Sequence, residues 1–322
     1  MLQERELGRT AVVGIKTSPA TAVRKHSLWL RIWKNRTLYL LIAPVFFGAG
    51  LFQYYPALTA LYRSFYAWDG RRAHFVGLDN FEFFLTDPRL LISWVNVSKL
   101  LIFHLIVVMT LPVLVAYLIY RLRDEGQRYR YRVLFVLPIV VPGFVNIVLW
   151  KWFYSLNGVI NFLLRGVGLE SWTRVWLGDP DTALYALMFM GFPWVGGITM
   201  LIYLAGFLTI PMEVLDAAIV DGATGLKRFW LVEMPFLRGQ LKLQVILTFI
   251  GTIQGFQAPL IMTRGGPGYA TMVPGLRMYD AAMVDFKLGY ASSIGVILFI
   301  VIFTLTLINQ RFIRGGQEYD EA

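Results

Sequence analysis

The sequence predicts an all-α, polytopic membrane bundle of six transmembrane helices with both termini in the cytoplasm. Three observations lead there. Hydrophobic residues make up 57% of the 322-residue chain and charged residues 16%, with a mean hydropathy of +0.58, far more apolar than a soluble domain of this size. The apolar residues gather into six runs, each close to the ~20 residues a helix needs to cross a bilayer. The basic residues are sorted between the connecting segments: 18 of the 30 Lys and Arg fall where this arrangement is inside and eight where it is outside, the asymmetry that orients membrane helices.

Residues 1–37 read as a polar cytoplasmic tail. Arg24, Lys25, Arg31, Lys34 and Arg36 cluster ahead of the first span, Trp29 and Trp33 suit the headgroup level, and a short interfacial helix is expected there. No apolar run in this segment is long enough for a cleavable signal peptide. The transmembrane domain occupies 38–314. Its first span is Leu38 to Leu61, followed by an outer loop from Phe65 to Ile92 whose Gly and Pro residues predict short turns and one small helix. The second span, Trp94 to Tyr120, returns inward to the dense charge of Arg121–Arg132. The third, Val133 to Tyr154, holds Pro138, Pro142 and Gly143, which predict a bend. An outer loop, Ser155 to Asp181, leads to the fourth span, Thr182 to Phe207, interrupted by the glycines and proline of Gly191–Gly197. The fifth runs from Gln240 to Met262 and the sixth from Leu288 to Ile308, with an outer loop, Thr263 to Lys287, between them. Arg311 and Arg314 close the domain inside, and 315–322 form a cytoplasmic C-terminal tail.

Between the fourth and fifth spans lies a polar island, residues 209–237, that reads as a helical hairpin. Thr209 is the expected N-cap, Pro211 sits just inside the first helix, and Glu213 and Asp216 occupy early turns where the helix dipole favours negative charge. Met212, Leu215, Ala218 and Ile219 recur at three- and four-residue spacing and make one apolar stripe. Asp221-Gly222 is a turn signal, with Gly222 free to take positive φ, and a second helix is expected from Thr224 until Pro235 interrupts it. Such a hairpin, held by two spans, is a place for another protein to grip. The alternative is an amphipathic hairpin lying on the lipid headgroups.

Asp216-Ala217-Ala218, Asp221-Gly222-Ala223, Phe229 and Met234-Pro235 resemble the EAA loop of permease subunits in binding-protein-dependent ABC importers, with Asp216 standing where that family usually has Glu. Thr263-Arg264-Gly265-Gly266-Pro267-Gly268 and Ala270-Thr271 resemble the T-x-GGP-x-x-AT segment of its carbohydrate-uptake branch, of the maltose and glycerol-phosphate type. The resemblance runs from about Leu38 to Arg314. It implies a type I ABC importer permease fold in a bacterial cytoplasmic membrane. It also implies a second homologous permease, an ATPase homodimer that binds the ATP and Mg, and an extracytoplasmic solute-binding protein. By the same resemblance, Met212, Glu213, Asp216, Ala217, Ala218, Asp221, Gly222 and Ala223 make the ATPase-coupling contact.

Composition removes several other functions. There is no cysteine, and His26, His74 and His104 are too scattered for a metal site, so neither a cofactor nor a metal is expected in this chain. No G-x-x-x-x-G-K-[ST] loop is present, so ATP hydrolysis belongs to another subunit, and no catalytic constellation is readable. The net charge of +10 flanks apolar spans instead of forming a nucleic-acid-binding stripe.

A solute pathway is sought in polar and aromatic side chains within spans. Gln254 and Gln257 lie three apart on the fifth span and are expected to share a face. Asn146 and Trp150 lie four apart on the third, beside Lys151. Amides also serve as interhelical glue, and Gly251-x-x-x-Gly255 reads first as a close-packing motif. Lys99 and Lys151 either snorkel to the headgroups or line a path for an anionic solute such as uronate oligosaccharides or glycerol phosphate. Two other classes stay open: a permease of the same superfamily for peptides, amino acids or oxyanions, and a non-transporting membrane receptor.

Overall fold

The computed structural model describes Trp33 and residues 35–312. Most of the expected N-terminal tail with its interfacial helix, Arg314 and the C-terminal tail lie outside these residues. The chain divides into two units at Pro56. The first contains most of helix α1 (Arg36–Arg63), with none of Arg36–Ala49 buried within it, as suits a helix whose solvent is lipid. Ahead of Pro56 the helix widens into a π-turn, Gly50–Tyr54, in which the Tyr55 N–H donates to the Gly50 carbonyl. A proline ring crowds the carbonyl four residues back and offers it no donor, and a wider turn relieves both problems.

The second unit begins with the end of α1 and a small antiparallel hairpin, β1 (Tyr66–Trp68) and β2 (Ala73–Phe75), with Ala67 opposite His74. The Asp69 carboxylate closes its turn by accepting the Arg71 and Arg72 N–H groups. The sequence reading expected turns and one small helix here; the helix is α2 (Asp79–Thr86), and the strands are additional. Helix α3 (Pro88–Arg121) starts six residues before the expected Trp94, because Asp87 accepts the Arg89 N–H and Pro88 takes the first helical position.

The charged segment after α3 is itself helical. Asp124 caps α4 (Glu125–Val136), and Glu125 pairs with Arg128 and Arg132. A 3₁₀ turn, Leu137–Val140, and Pro142 then redirect the chain by 88° into α5 (Gly143–Phe153), a sharper bend than a kinked span. After α6 (Val159–Gly166), the fourth apolar run is divided into α7 (Pro180–Phe189) and α8 (Gly197–Leu208), separated by the expected Gly-Pro interruption with a cis Phe192–Pro193 bond. A Cβ on Gly197 would stand 2.5 Å from the Phe135 carbonyl, so glycine lets α8 approach the end of α4.

A 69° turn follows α8 into the hairpin helices α9 (Met212–Val220), α10 (Gly225–Arg228) and α11 (Met234–Phe236). Then come α12 (Arg238–Gln254), α13 (Gln257–Met262), α14 (Pro274–Met283) and α15 (Leu288–Phe312). Four stretches are long and apolar enough to cross a membrane: α1, α3, α12 continued by α13, and α15. Two bent pairs, α4 with α5 and α8 with α9, bring this all-α bundle to six crossings if each pair is one span.

Helix α3 is the spine of the second unit. Its C-terminal half packs Val113, Ala116 and Ile119 against Tyr203, Leu204 and Phe207 of α8 and Leu215 of α9. Near its N-terminus, Leu90 joins Ala281 of α14 and Tyr290, Ile294 and Leu298 of α15. The hairpin therefore shares one continuous core with α3 and α8.

Candidate functional site

The hairpin is built from two opposed faces. Leu215 and Ala218 of α9 are buried, and Phe229, Met234 and Leu237 pack into the same core. Met212, Ile219 and Val220 point away from it, at 65%, 49% and 87% exposure, joined by exposed Leu226, Trp230 and Leu231. The expected single stripe is thus split, with Leu215 and Ala218 holding the hairpin to its own chain and Met212 and Ile219 left open. Of the predicted coupling residues, Met212, Glu213, Asp216, Ala217, Asp221 and Gly222 are exposed, while Ala218 and Ala223 are buried.

The turn has a definite mechanism. Gly222 stands at φ +71 and its N–H donates to the Ile219 carbonyl at 3.0 Å; the Ala223 N–H donates to the Ala218 carbonyl at 2.8 Å. These two bonds are the Schellman closure of a helix, which needs a residue in the left-handed region at its centre. Ala218 and Ala223 are both buried beside this turn, and the Asp-Gly-Ala pattern is a helix stop. The second helix continues past the expected break: a π-turn, Phe229–Glu233, with the Met234 N–H on the Phe229 carbonyl, admits Pro235 just as the earlier π-turn admits Pro56. Thr209 is not the N-cap. Its hydroxyl donates to the Gly206 carbonyl at 2.8 Å and closes α8, while Pro211 precedes the first residue of α9. Inside the turn, Glu233 is fully buried and accepts from the Arg228 Nε at 3.0 Å.

The resemblance in Thr263–Thr271 has an equally physical basis. The hydroxyls of Thr263 and Thr271 lie 2.6 Å apart, and that of Thr271 bonds the Gly266 carbonyl at 3.0 Å. Asn96 of α3 donates to the Tyr269 and Met272 carbonyls, both at 3.0 Å. The segment is a self-closed loop pinned to α3.

Two adjoining cavities of about 460 and 370 Å³ open within the second unit. His104, Met190, Gly251 and Thr252 line both. Gln254 and Gln257 line the smaller, but not through a shared helical face. The backbone leaves the helix at Gly255 (ψ 120) and resumes after Phe256 (φ −137), so the two amides sit on α12 and α13 on either side of a break. Gly251 is not a packing contact either: a Cβ there would meet nothing within 4 Å. Asn146 and Trp150 line neither cavity, although their neighbour Ile147 lines the smaller one. Trp150 meets Phe153 edge-on and Tyr154 at a tilt, and the Lys151 ammonium donates to the Ile261 carbonyl at the end of α13, at 2.7 Å. Lys99 is exposed on α3.

A buried ionic network, missed in the sequence, ties the N-terminal end of α3 to α14 and α15. Asp87 accepts from the Arg277 Nε at 2.7 Å and the Tyr290 hydroxyl at 2.9 Å, and Arg277 also reaches Asp285 at 2.9 Å. Asp87 and Arg277 are each 4% exposed. Burial pushes the Asp87 carboxyl up, but the hydrogen bonds from Arg277 and Tyr290 outweigh it and hold the group below the usual aspartate value. No cluster of metal-binding side chains occurs among the described residues.

Residues 96–315 match the family described as binding-protein-dependent transport system inner membrane component. The probable ABC transporter permease protein YurN of Bacillus subtilis is 31% identical over 287 residues, covering 87% of this chain and 96% of that protein. The sn-glycerol-3-phosphate transport system permease protein UgpA of Agrobacterium fabrum is 29% identical, covering 89% and 98%. Among solved structures, a chain of a bacterial alginate ABC transporter in complex with alginate pentasaccharide-bound periplasmic protein aligns with a TM-score of 0.78 at 19% identity, over 90% of this chain and all of that one.

Proposed function

The chain belongs to the family of binding-protein-dependent transport system inner membrane components, and from that membership we propose that it is one permease subunit of an ATP-driven importer for sugars or oligosaccharides. It forms the translocation pathway with a second, homologous permease. The observation that carries this reading is the two-faced hairpin. Its exposed apolar residues, Met212, Ile219 and Val220, need a partner, and its core-facing residues, buried Leu215 and Leu237 with half-buried Phe229, pack with α3 and α8. A docked ATPase dimer, holding the ATP and Mg, closes on nucleotide and carries α9 with it. The shared core passes that displacement to α3 and α8, and the access of the cavity changes side. Pro138, Pro142 and Pro193 lie at the breaks where such motion is absorbed. This chain performs no covalent chemistry.

The carbohydrate assignment draws on the Thr263–Thr271 loop and on the names of the relatives, which mention alginate and sn-glycerol-3-phosphate. The arrangement that suits this role has the hairpin and both termini in the cytoplasm. A solute-binding protein then delivers the sugar at the opposite face, close to the loop carrying Thr263–Thr271. The transmembrane domain is taken as 38–314, with 1–37 and 315–322 as tails. Gln254 and Gln257, on the cavity wall, are the solute-contacting pair in this reading; Asn146, Trp150 and Lys151 flank it on α5.

The test is the ATPase activity of the purified complex in lipid, with binding protein and a panel of neutral and acidic oligosaccharides. Stimulation by a carbohydrate class is the expected result. Stimulation by a peptide or an amino acid, with none by any sugar, would replace the substrate assignment.

A further inference from the structure

His104 stands near the middle of the 34-residue helix α3, at a depth where a polar side chain is costly unless it faces a cavity or a partner. Its Nδ1 lies 3.0 Å from the Thr252 hydroxyl of α12, which fixes the ring across the helix interface. No protein atom among the described residues takes Nε2, and the residue lines both cavities. Trp194 also lines the larger cavity, packed edge-on against Phe103 beside His104, and is held in an unusual posture. Its backbone has φ +56, a region bulky residues rarely enter, and its indole N–H is committed to the Met188 carbonyl at 3.0 Å. Such positions persist where the surroundings over-determine them, which marks functional sites.

The remaining polar lining of the two cavities consists of Thr199, Thr248, Gln254 and Gln257. No Asp, Glu, Lys or Arg belongs to either wall, and Lys151, whose ammonium donates to the Ile261 carbonyl, lines neither cavity. An unpaired anion drawn into such a wall loses its hydration without gaining a counter-charge. Hydroxyl groups, in contrast, pair with imidazole, amide and threonine side chains alike.

We propose that His104, positioned by Thr252, is the central hydrogen-bonding residue of this subunit's solute site, and that the site reads the hydroxyl groups of an uncharged sugar instead of a carboxylate or phosphate. The assignment rests on the importer reading and sharpens it, separating this chain from the relatives named for anionic solutes.

The experiment is uptake of radiolabelled solute into liposomes containing the complete complex and its binding protein. It compares neutral glucose oligosaccharides with uronate oligosaccharides of equal length. Wild type takes up the neutral series in preference. His104→Ala lowers that uptake by about tenfold, the scale set by losing a buried hydrogen bond. His104→Gln, whose amide can bond both Thr252 and a solute, recovers part of it. Gly251→Leu, placed where a Cβ meets nothing within 4 Å, narrows both cavities without disturbing packing and also lowers uptake. Subunit assembly is measured on the same preparations, so that loss of the complex is told apart from loss of the solute site. Preferential uptake of the uronates, wild-type uptake by His104→Ala, or uptake of neither series overturns the proposal. Failure of any ATPase to assemble with the wild-type chain is a different result and strikes at the importer reading itself.

Discussion

Gly222→Val is expected to leave the protein inserted in the membrane while lowering solute-stimulated ATPase activity of the complex by at least about tenfold. Space is not the reason, since a Cβ at Gly222 meets nothing within 4 Å. The reason is the backbone: at φ +71 an L-residue carries a penalty of roughly 1–2 kcal/mol, and a β-branched one fits worse still. Relaxing that strain breaks the bonds from Gly222 to Ile219 and from Ala223 to Ala218, which together stop α9 and set the direction of α10. At about 1.4 kcal/mol per tenfold, the penalty is enough to depopulate the docking-competent turn. Gly222→Asn provides the control, because asparagine tolerates the left-handed region and should retain most of the activity. Full stimulation in the valine variant would show that the turn does not set the coupling geometry.

Arg277→Leu should destabilise the protein by about 3–5 kcal/mol, seen as a lowered thermal midpoint of the detergent-solubilised complex or as loss of accumulation in the membrane. Removing the guanidinium strands Asp87, which is 4% exposed, with only the Tyr290 hydroxyl and the Arg89 N–H. The double variant Asp87→Asn with Arg277→Leu should be milder than the single change, because it also removes the orphaned charge. The pH dependence has a definite sign. The folded-state value of Asp87 is depressed, so its contribution is complete above the ordinary aspartate value of about 3.9 and is lost only as pH falls through the lower folded value. The junction of α3, α14 and α15 should therefore be insensitive to pH across the neutral range and loosen in strong acid. A single Arg277→Leu variant as stable as wild type would mean that the network is incidental.

The parts of this structure that could be read in the sequence were those fixed by local chemistry. Six apolar runs implied six crossings, Asp221-Gly222 implied a turn, and Pro142 with Gly143 implied a bend. Local patterns were less informative where one residue type serves two purposes. Thr209 could cap the following helix or donate to a carbonyl of the preceding one, and it does the second. An unbroken apolar run also hides changes of backbone direction, so the break at Gly255 and Phe256 was invisible, and the Gln254–Gln257 pairing was expected on a helical face that does not exist. Long-range partnerships left no trace at all. Nothing near Asp87 announces Arg277, 190 residues away, and nothing near His104 announces Thr252. The one available signal for His104 was an ionisable residue in the middle of a span, and it was read only as an isolated histidine.

The most direct test of the coupling role is co-purification of an affinity-tagged ATPase subunit with the native chain and with Val220→Asp and Ile219→Asp. Both positions are exposed and lie outside the core that holds the hairpin, so the charge can act on docking without unfolding α9. The native chain should bring down the ATPase, and both variants should lose it while remaining in the membrane at native levels. Undiminished ATPase recovery with the aspartate variants, or none with the native chain, would contradict the hairpin as a coupling element.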